Sequence, residues 1–331
     1  MANPKPTNND EDLIPNLDIR EPILKFDFPG IKIGIAQYKE GPTGCTVFHF
    51  DKTEEKENPG ARFYADVRGG APGVKFHEIG WANAICFAGG SLLGLEACDG
   101  VAAELLKQKN YTVDWFEIPV VPGAIIFDFG PRNNSIYPDK QLGRAAFCSV
   151  QEGALPMGQQ GAGRLATVGK GFDYSIGEFC GQGAAFKIIG DTKILVCSVV
   201  NALGAIRDRS GKIVRGNIDR TNNTHIELLD QLKQLKLENQ PRNRNELPKN
   251  TTLTIVITNQ KFDQRSLEQI AKQVHSSMAR TIDPFHTLDD GDVLFMVTTD
   301  EIENNQLSPM AFGMIASDLV WDAVLNSYEK K

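Results

Sequence analysis

The sequence predicts a layered α/β protein, on three observations. Short runs rich in Val, Ile, Thr and aromatic residues recur along the chain, each bounded by Gly, Pro or charged clusters. A few longer segments carry apolar residues at intervals of three and four. The chain has 331 residues, 41% of them hydrophobic, enough for a sizeable core in one large domain or two small ones. Short strands interleaved with a few long helices pack as sheets covered by helices.

Taken in order, residues 1–22 hold four Pro and many Asn and Asp and read as a mobile tail. KIGIAQY, CTVFHF and ARFYADV then read as strands. A helix is expected after Gly89-Gly90-Ser91, with Leu92, Leu95, Cys98, Ala102 and Leu105 on one stripe. AIIFDF, AAFKIIG and KILVCSVV are further strands. From about Arg215 the texture becomes polar, and residues 219–250 read as a linker. Within it Leu228, Leu232 and Leu235 could make one short amphipathic helix, and PRNRNELPK reads as exposed loop. TTLTIVIT follows abruptly as a strand. Leu267, Ile270, Ala271, Val274 and Met278 share the face of the next helix. DVLFMVTT is a strand. The last helix starts near Ser308, with Pro309 in its first turn and Met314, Ile315, Leu319, Val320 and Ala323 on its apolar side. No internal repeat is visible.

Charge narrows the function. Lys plus Arg number 35 against 42 Asp plus Glu, a net charge of −7. The pI near 5.4 is the opposite of a nucleic-acid surface. No run of about 18 apolar residues is present to span a membrane. The polar, acidic start MANPKPTNNDEDLIPN lacks the positive segment and apolar stretch of a secretory signal. Cysteines stand at 45, 86, 98, 148, 180 and 197, with no CxxC spacing and mostly apolar neighbours. Reduced, buried thiols of a cytoplasmic protein are expected.

Several motif-like stretches fail on chemistry. In GRLATVGKG five residues separate Gly163 from Gly169, and Gly171 follows Lys170 where a phosphate loop needs a hydroxyl. GQGAAF lacks the third glycine of a dinucleotide fingerprint. Asp290, Asp292 and Glu301 have calcium-loop spacing, but Phe295 stands where that loop needs glycine. There is no HExxH and no Cys/His ligand set for zinc.

The informative place is Lys249-Asn250-Thr251-Thr252, where a solvated segment meets a buried strand. That arrangement suits a self-cleaving amidase whose new N-terminus is the nucleophile. An N-terminal Thr carries its own general base, because the freed α-amine lies beside the hydroxyl. An α-amine titrates near 7.7–8.0 and a lysine near 10.4, so at neutral pH the amine offers about several hundred times more free base. Before cleavage that nitrogen is an amide, and Thr251 Oγ1 would attack the Asn250 carbonyl instead. Taken alone, a Thr opening a strand is ordinarily structural.

A resemblance gives the junction its meaning. KFDFPGIKIGIAQYKEGPTGCTV, ADVRGGAPG, CFAGGSLLGLEACDGVAAELL, PGAIIFDF, GRAAF, VVNALG and NTTLTIVITN resemble the N-terminal-nucleophile peptidases typified by L-aminopeptidase D-esterases and β-peptidyl aminopeptidases. Within them, AKQVHSSMARTIDPFHTLDDGDVLFMVTTDEI and YPDKQLGRAA look most like the nylon hydrolases, 6-aminohexanoate-oligomer endohydrolases. The likeness fails before Leu24 and in 220–247.

The resemblance implies a four-layer αββα sandwich of the N-terminal-nucleophile type. It implies a large chain, 23–250, and a small chain, 251–331, of one folded unit. It places the cleaved bond between Asn250 and Thr251 and makes Thr251 the nucleophile. Asp290 and Asp292 correspond to the acids that hold the N-terminal Thr. Lys170 corresponds to a hydrogen-bonding, charge-balancing lysine, and Asn201 to an oxyanion donor. At substrate-lining position 127 the nylon hydrolases carry Tyr, whereas Phe127 has no hydroxyl to donate.

Each role has a plainer alternative. On a strand Asp290 and Asp292 would face the same way, about 7 Å apart. At that distance two carboxylates repel by about 2.4 kcal/mol at an effective dielectric of 20, which favours a cation between them. DDGD could equally be a polar turn before a strand. Lys170 could be a surface lysine, and Asn201 an Asx turn opening NALG. Gly89 and Gly90 could donate backbone N–H groups or simply permit close packing. His286 in PFHTLDDGD lies close in sequence to the acids and could shape the pocket, with a packed histidine the plainer reading.

The expected activity is hydrolysis of linear aliphatic amides, such as 6-aminohexanoate oligomers, through an acyl-Thr251 ester, with no metal or organic cofactor. The family implies a homo-oligomer, a tetramer of processed units. Three rivals stand beside it: an aminopeptidase on short peptides, β-peptides or amino amides; an acyltransferase; and an unprocessed binding or structural protein.

Overall fold

Two six-stranded sheets face each other, each covered on its outer side by a pair of helices. The structure, a computed structural model, describes residues 5–10, 12–51, 60–114, 117–171, 174–237, 250–304 and 306–329. In chain order the strands of these sheets are β1 (Ile31–Tyr38), β2 (Thr43–Phe50), β3 (Ala61–Val67), β4 (Val74–Lys75), β5 (Trp81–Ala82), β6 (Ala84–Ala88), β7 (Gly123–Ile125), β8 (Gln151–Glu152), β9 (Gln182–Ile189), β10 (Thr192–Asn201), β11 (Thr251–Gln260) and β12 (Val293–Ile302). The helices are α1 (Glu96–Gln108), α2 (Lys140–Cys148), α3 (Leu228–Leu237), α4 (Gln264–Ser277) and α5 (Pro309–Leu325). One sheet runs β4-β7-β6-β2-β1-β8 and the other β9-β10-β11-β12-β3-β5. This is the four-layer αββα sandwich.

Side-chain alternation builds the layers. Along β11, Leu253, Ile255 and Ile257 point between the sheets, while Val256 points to the helices. In β12, Val293, Phe295 and Val297 enter the same inter-sheet core, and Leu294 and Met296 meet α4 and α5. Ile31, Ile33, Phe48, Phe50 and Phe87 answer from the other sheet, with Phe87 and Phe295 rings 6.0 Å apart. A strand buried on both faces reads as a nearly continuous apolar run, as TTLTIVIT and DVLFMVTT do. α1 and α2 cover the first sheet over Val47 and Cys86, with Phe147 of α2 in the same cluster.

Local signals fix the helix ends. Asp263 and Ser308 accept from the N–H three residues on and cap α4 and α5, each worth about 1 kcal/mol. Asp139 caps α2 in the same way.

Topology brings the chemistry to one end of the second sheet. β10 and β11 are antiparallel, which sets Asn201, the last residue of β10, opposite Thr251, the first of β11. β11 and β12 are parallel, so both begin at that end, and Asn250 bridges Asp290 just before them.

The structure corrects several expectations. Residues 5–10 and 12–22 are not a free tail. Leu13 is buried, Asn16 and Gln37 exchange backbone hydrogen bonds, and the Arg20 backbone is held by the Gln160 amide. After Gly90 the chain makes a 3-10 turn, Ser91–Leu95, before α1, which leaves Leu92 64% exposed. AIIFDF contributes only Ala124 and Ile125 to strand β7. Met314 is 62% exposed, on the side of α5 away from the sheet. In the polar linker, Ile218–Asp219 pairs with Thr224–His225, and α3 follows. The side chain of Leu235 and the stretch PRNRNELPK lie outside the described residues. Cys148 is exposed, and the other five cysteines are buried.

Candidate active site

Thr251 Oγ1 donates to the carbonyl oxygen of Asn250, the residue before it, at 2.5 Å. Both residues are buried. The same oxygen accepts the Gly291 backbone N–H at 3.0 Å. The peptide link on which the sequence drew attention is thus flanked by a hydroxyl and polarised by an N–H donor. Gly291 is required by space: a Cβ there would meet the Ala71 carbonyl oxygen at 2.3 Å. Ala71 N–H bonds the Asp290 carbonyl, so the ADVRGGAPG loop straps this turn from outside.

The two acids divide their work. Asp292 Oδ1 accepts the Thr252 N–H at 2.6 Å, next to the nucleophile candidate. Asp290 accepts from the Thr287 N–H and hydroxyl, at 2.9 and 2.5 Å, and from the Leu203 N–H at 3.3 Å. Burial, then the nearby Asp292 charge, push the Asp290 carboxyl up to about 6, against the hydrogen bonds that favour its ionised form. Asp290 precedes β12 within a turn, as the polar-turn reading of DDGD expects, and its charge lies close to that of Asp292.

Lys170 lies at the centre, fully buried. Its backbone is carried between Gly169 at φ +60° and Gly171 at φ +51°, and a Cβ on Gly169 would meet Gly216 Cα at 2.3 Å. Two left-handed glycines fold the VGKG loop inward, where a surface lysine was the alternative. Lys170 Nζ donates to the Asn201 carbonyl at 3.0 Å and to its Oδ1 at 3.1 Å. Burial pulls its ammonium down to about 7, with Asp290 opposing. A lysine ordinarily titrates far above neutrality and is a poor base unless that value is strongly lowered. At about 7 that objection falls.

Asn201 Oδ1 also accepts the Thr167 N–H at 3.0 Å, and Nδ2 donates to the Phe127 carbonyl at 3.2 Å. Two donors on Oδ1 fix which end of the amide is which, and leave Nδ2 one further N–H. Phe127 therefore enters the site through its backbone, with its half-buried ring edge-on to Phe129.

Gly89 and Gly90 do not supply donors here. Gly89 N–H bonds the Gly44 carbonyl, and Gly90 N–H bonds Asp128. Asp128 is held in turn by Thr43 and Arg132. The pair packs a turn.

Sequence reasoning missed the Gly291 N–H, the Thr167 and Thr287 contacts and the bond between His286 Nδ1 and Asp292 Oδ2 at 2.9 Å. Only the glycine inside DDGD gave a signal, and it reads equally as a bend. Among the described residues no group of three or more His, Cys, Asp or Glu is placed to hold a metal ion, and no helix is long and apolar enough to cross a membrane.

The chain is 42% identical to a 6-aminohexanoate-oligomer endohydrolase of Agromyces sp. (strain KY5R), over 97% of this chain and 90% of that protein. It is equally similar, over the same shares, to one from Paenarthrobacter ureafaciens. The fold matches the solved L-aminopeptidase D-Ala-esterase/amidase of Ochrobactrum anthropi, described as a variant of the Ntn hydrolase fold. The TM-score is 0.64 and the identity 16%, over 98% of this chain and 90% of that one. Residues 26–329 match Peptidase family S58. The chain belongs to that family, and it is an amide hydrolase.

Proposed function

We propose that this protein is a self-processing N-terminal threonine amidohydrolase, cut between Asn250 and Thr251, that cleaves 6-aminohexanoate oligomers. The observation that carries the reading is the Thr251 hydroxyl and the Gly291 N–H meeting on one peptide oxygen, that of Asn250. Thr251 Oγ1 attacks the Asn250 carbonyl carbon and its proton passes to a base. Lys170, which burial holds near 7, is the available amine. The oxyanion rests on Gly291 N–H. Expulsion of the Thr251 nitrogen leaves an ester, and water releases the Asn250 carboxylate and a free α-amine. Thr252 Oγ1 makes no hydrogen bond among the described residues, which supports a break before Thr251 and not after it.

In the cut protein the α-amine takes the proton of its own hydroxyl as Oγ1 attacks a substrate amide, then gives it to the leaving amine. The oxyanion is assigned to the second Nδ2 hydrogen of Asn201 and to the Gly291 N–H. Water then hydrolyses the acyl-Thr251 ester. The uncut chain is closed to substrate, since the acyl group beside Thr251 is its own. Two surface cavities among the described residues, of about 480 and 440 Å³, are lined by neither Thr251 nor Asn201.

The two chains of the precursor stay together because β11 and β12, from the small chain, lie between β10 and β3, from the large one. Assembly into a homo-oligomer, a tetramer on the family resemblance, would cover exposed Leu92, Leu93, Met310 and Met314. The free cysteines support a cytoplasmic setting.

The identity to the endohydrolases carries the substrate class. N-blocked 6-aminohexanoate tetramer tests it, with products read by mass spectrometry. Internal cleavage is expected. Cutting only of unblocked oligomers from the amino end would make the protein an aminopeptidase instead. A new amide formed with an added amine would make it an acyltransferase.

A further inference from the structure

Asp292 is a fully buried carboxylate, and the Thr252 N–H meets only half of it. Its other oxygen, Oδ2, is held by His286, through Nδ1 at 2.9 Å and the backbone N–H at 3.3 Å. A carboxylate only accepts, so Nδ1 carries the hydrogen. The His286 ring is itself braced. It stands nearly perpendicular to the His275 ring, with centroids 4.4 Å apart, and lies against Phe285 at 3.9 Å. His275 is fixed in the same way, with Nδ1 2.9 Å from Asp66 Oδ2, and Arg68 grips that carboxylate at 2.7 Å. Burial takes His275 down to about 4, so at neutral pH it stands as an uncharged brace. His286 adopts φ +59°, a left-handed backbone that a residue of this size takes at a cost. A strained residue whose polar edge meets a buried acid, with two aromatic neighbours fixing its plane, is more than filling.

We propose that His286 is a positioning residue for the nucleophile. Its Nδ1–H locks the Asp292 carboxylate, which locks the Thr252 N–H, which sets Thr251 Oγ1 against the carbonyl it attacks. His275 and Asp66 hold the imidazole in its plane. The inference rests on the reading of Thr251 as nucleophile and adds a link beyond the two acids.

The test uses the full chain with His286→Gly and His286→Asn. Glycine accepts the left-handed backbone without a side chain, and asparagine accepts it and returns an N–H near the Nδ1 position. Self-cleavage is followed by intact mass, and kcat and KM are measured on the oligoamide. His286→Gly is expected to slow cleavage and lower kcat at least about tenfold, the size of one hydrogen bond to a charged group, with KM within about twofold. His286→Asn is expected to recover most of both. Wild-type rates in His286→Gly, or an Asn variant as slow as Gly, would overturn the proposal. Wild-type protein run alongside separates the layers: a small chain not starting at Thr251 refutes the nucleophile reading, whereas an unaffected His286→Gly refutes this inference alone.

Discussion

Asn201 and Thr251 stand opposite each other on neighbouring antiparallel strands, at the end of the sheet where the buried Lys170 ammonium also arrives. That register sets an amide opposite a hydroxyl, and the loop at Lys170 brings an amine to the amide, although 50 and 31 positions separate these pairs along the chain. Asn201 does double duty. Its Oδ1 holds Lys170 and Thr167, and its Nδ2 faces the Phe127 carbonyl.

Asn201→Ala therefore removes the proposed oxyanion donor and takes the Oδ1 acceptor from the buried Thr167 N–H, while Lys170 keeps the Asn201 backbone carbonyl. Turnover of the processed enzyme should fall about 10²–10³-fold, mostly in kcat. Stability should fall by about 1–3 kcal/mol for the buried Thr167 N–H left without that acceptor. Steady-state kinetics and urea unfolding check both. A variant that keeps its kcat would remove Asn201 from the chemistry.

Gly291→Ala puts a methyl group 2.3 Å from the Ala71 carbonyl oxygen and 2.9 Å from Pro72 Cα. The strap has to shift, and the N–H on the Asn250 oxygen moves with it. Self-cleavage should slow at least about tenfold, seen as persistent precursor on a denaturing gel over time. Processing at the wild-type rate would show that this N–H does not matter.

The raised Asp290 carboxyl has a signature in stability. The folded chain keeps a proton that the unfolded chain loses between about pH 3.8 and 6, so Asp290 costs stability progressively as pH rises through that window. Lys170 has the opposite sign in a separate window: its lowered value makes stability rise between about 7 and 10.5. In the uncut Thr251→Ala background, adding Asp290→Asn should shift relative stability in the variant's favour by about 2–3 kcal/mol between pH 4 and 7. Denaturant melts across that range decide it, and a constant difference would contradict the account.

Much of the fold was legible because it rests on local pattern. ARFYADV matches β3 from end to end, TTLTIVIT opens β11 at Thr251, and Ser308-Pro309 starts α5. What failed depended on distant partners. Leu92 and Met314 fit helical spacing, but spacing does not say which face another layer will cover. Both face outward. Residues 5–22 look soluble by composition, yet Leu13 and Asn16 find partners across the chain. In the site, Thr251, Asn250, Asn201, Lys170, Asp290 and Asp292 were named through resemblance, and the fold gathers them. Gly291 and His286 were not named in that role, because a backbone N–H and a second-rank imidazole have no spacing signature.

The most direct measurement is the intact mass of purified, active protein. The account predicts two species of about 27 and 9 kDa from the 36.4 kDa chain, the smaller beginning at Thr251, and a single inactive species for Thr251→Ala. Full activity in an uncut 36.4 kDa chain, or a Thr251→Ala variant that still splits at this junction, would contradict it.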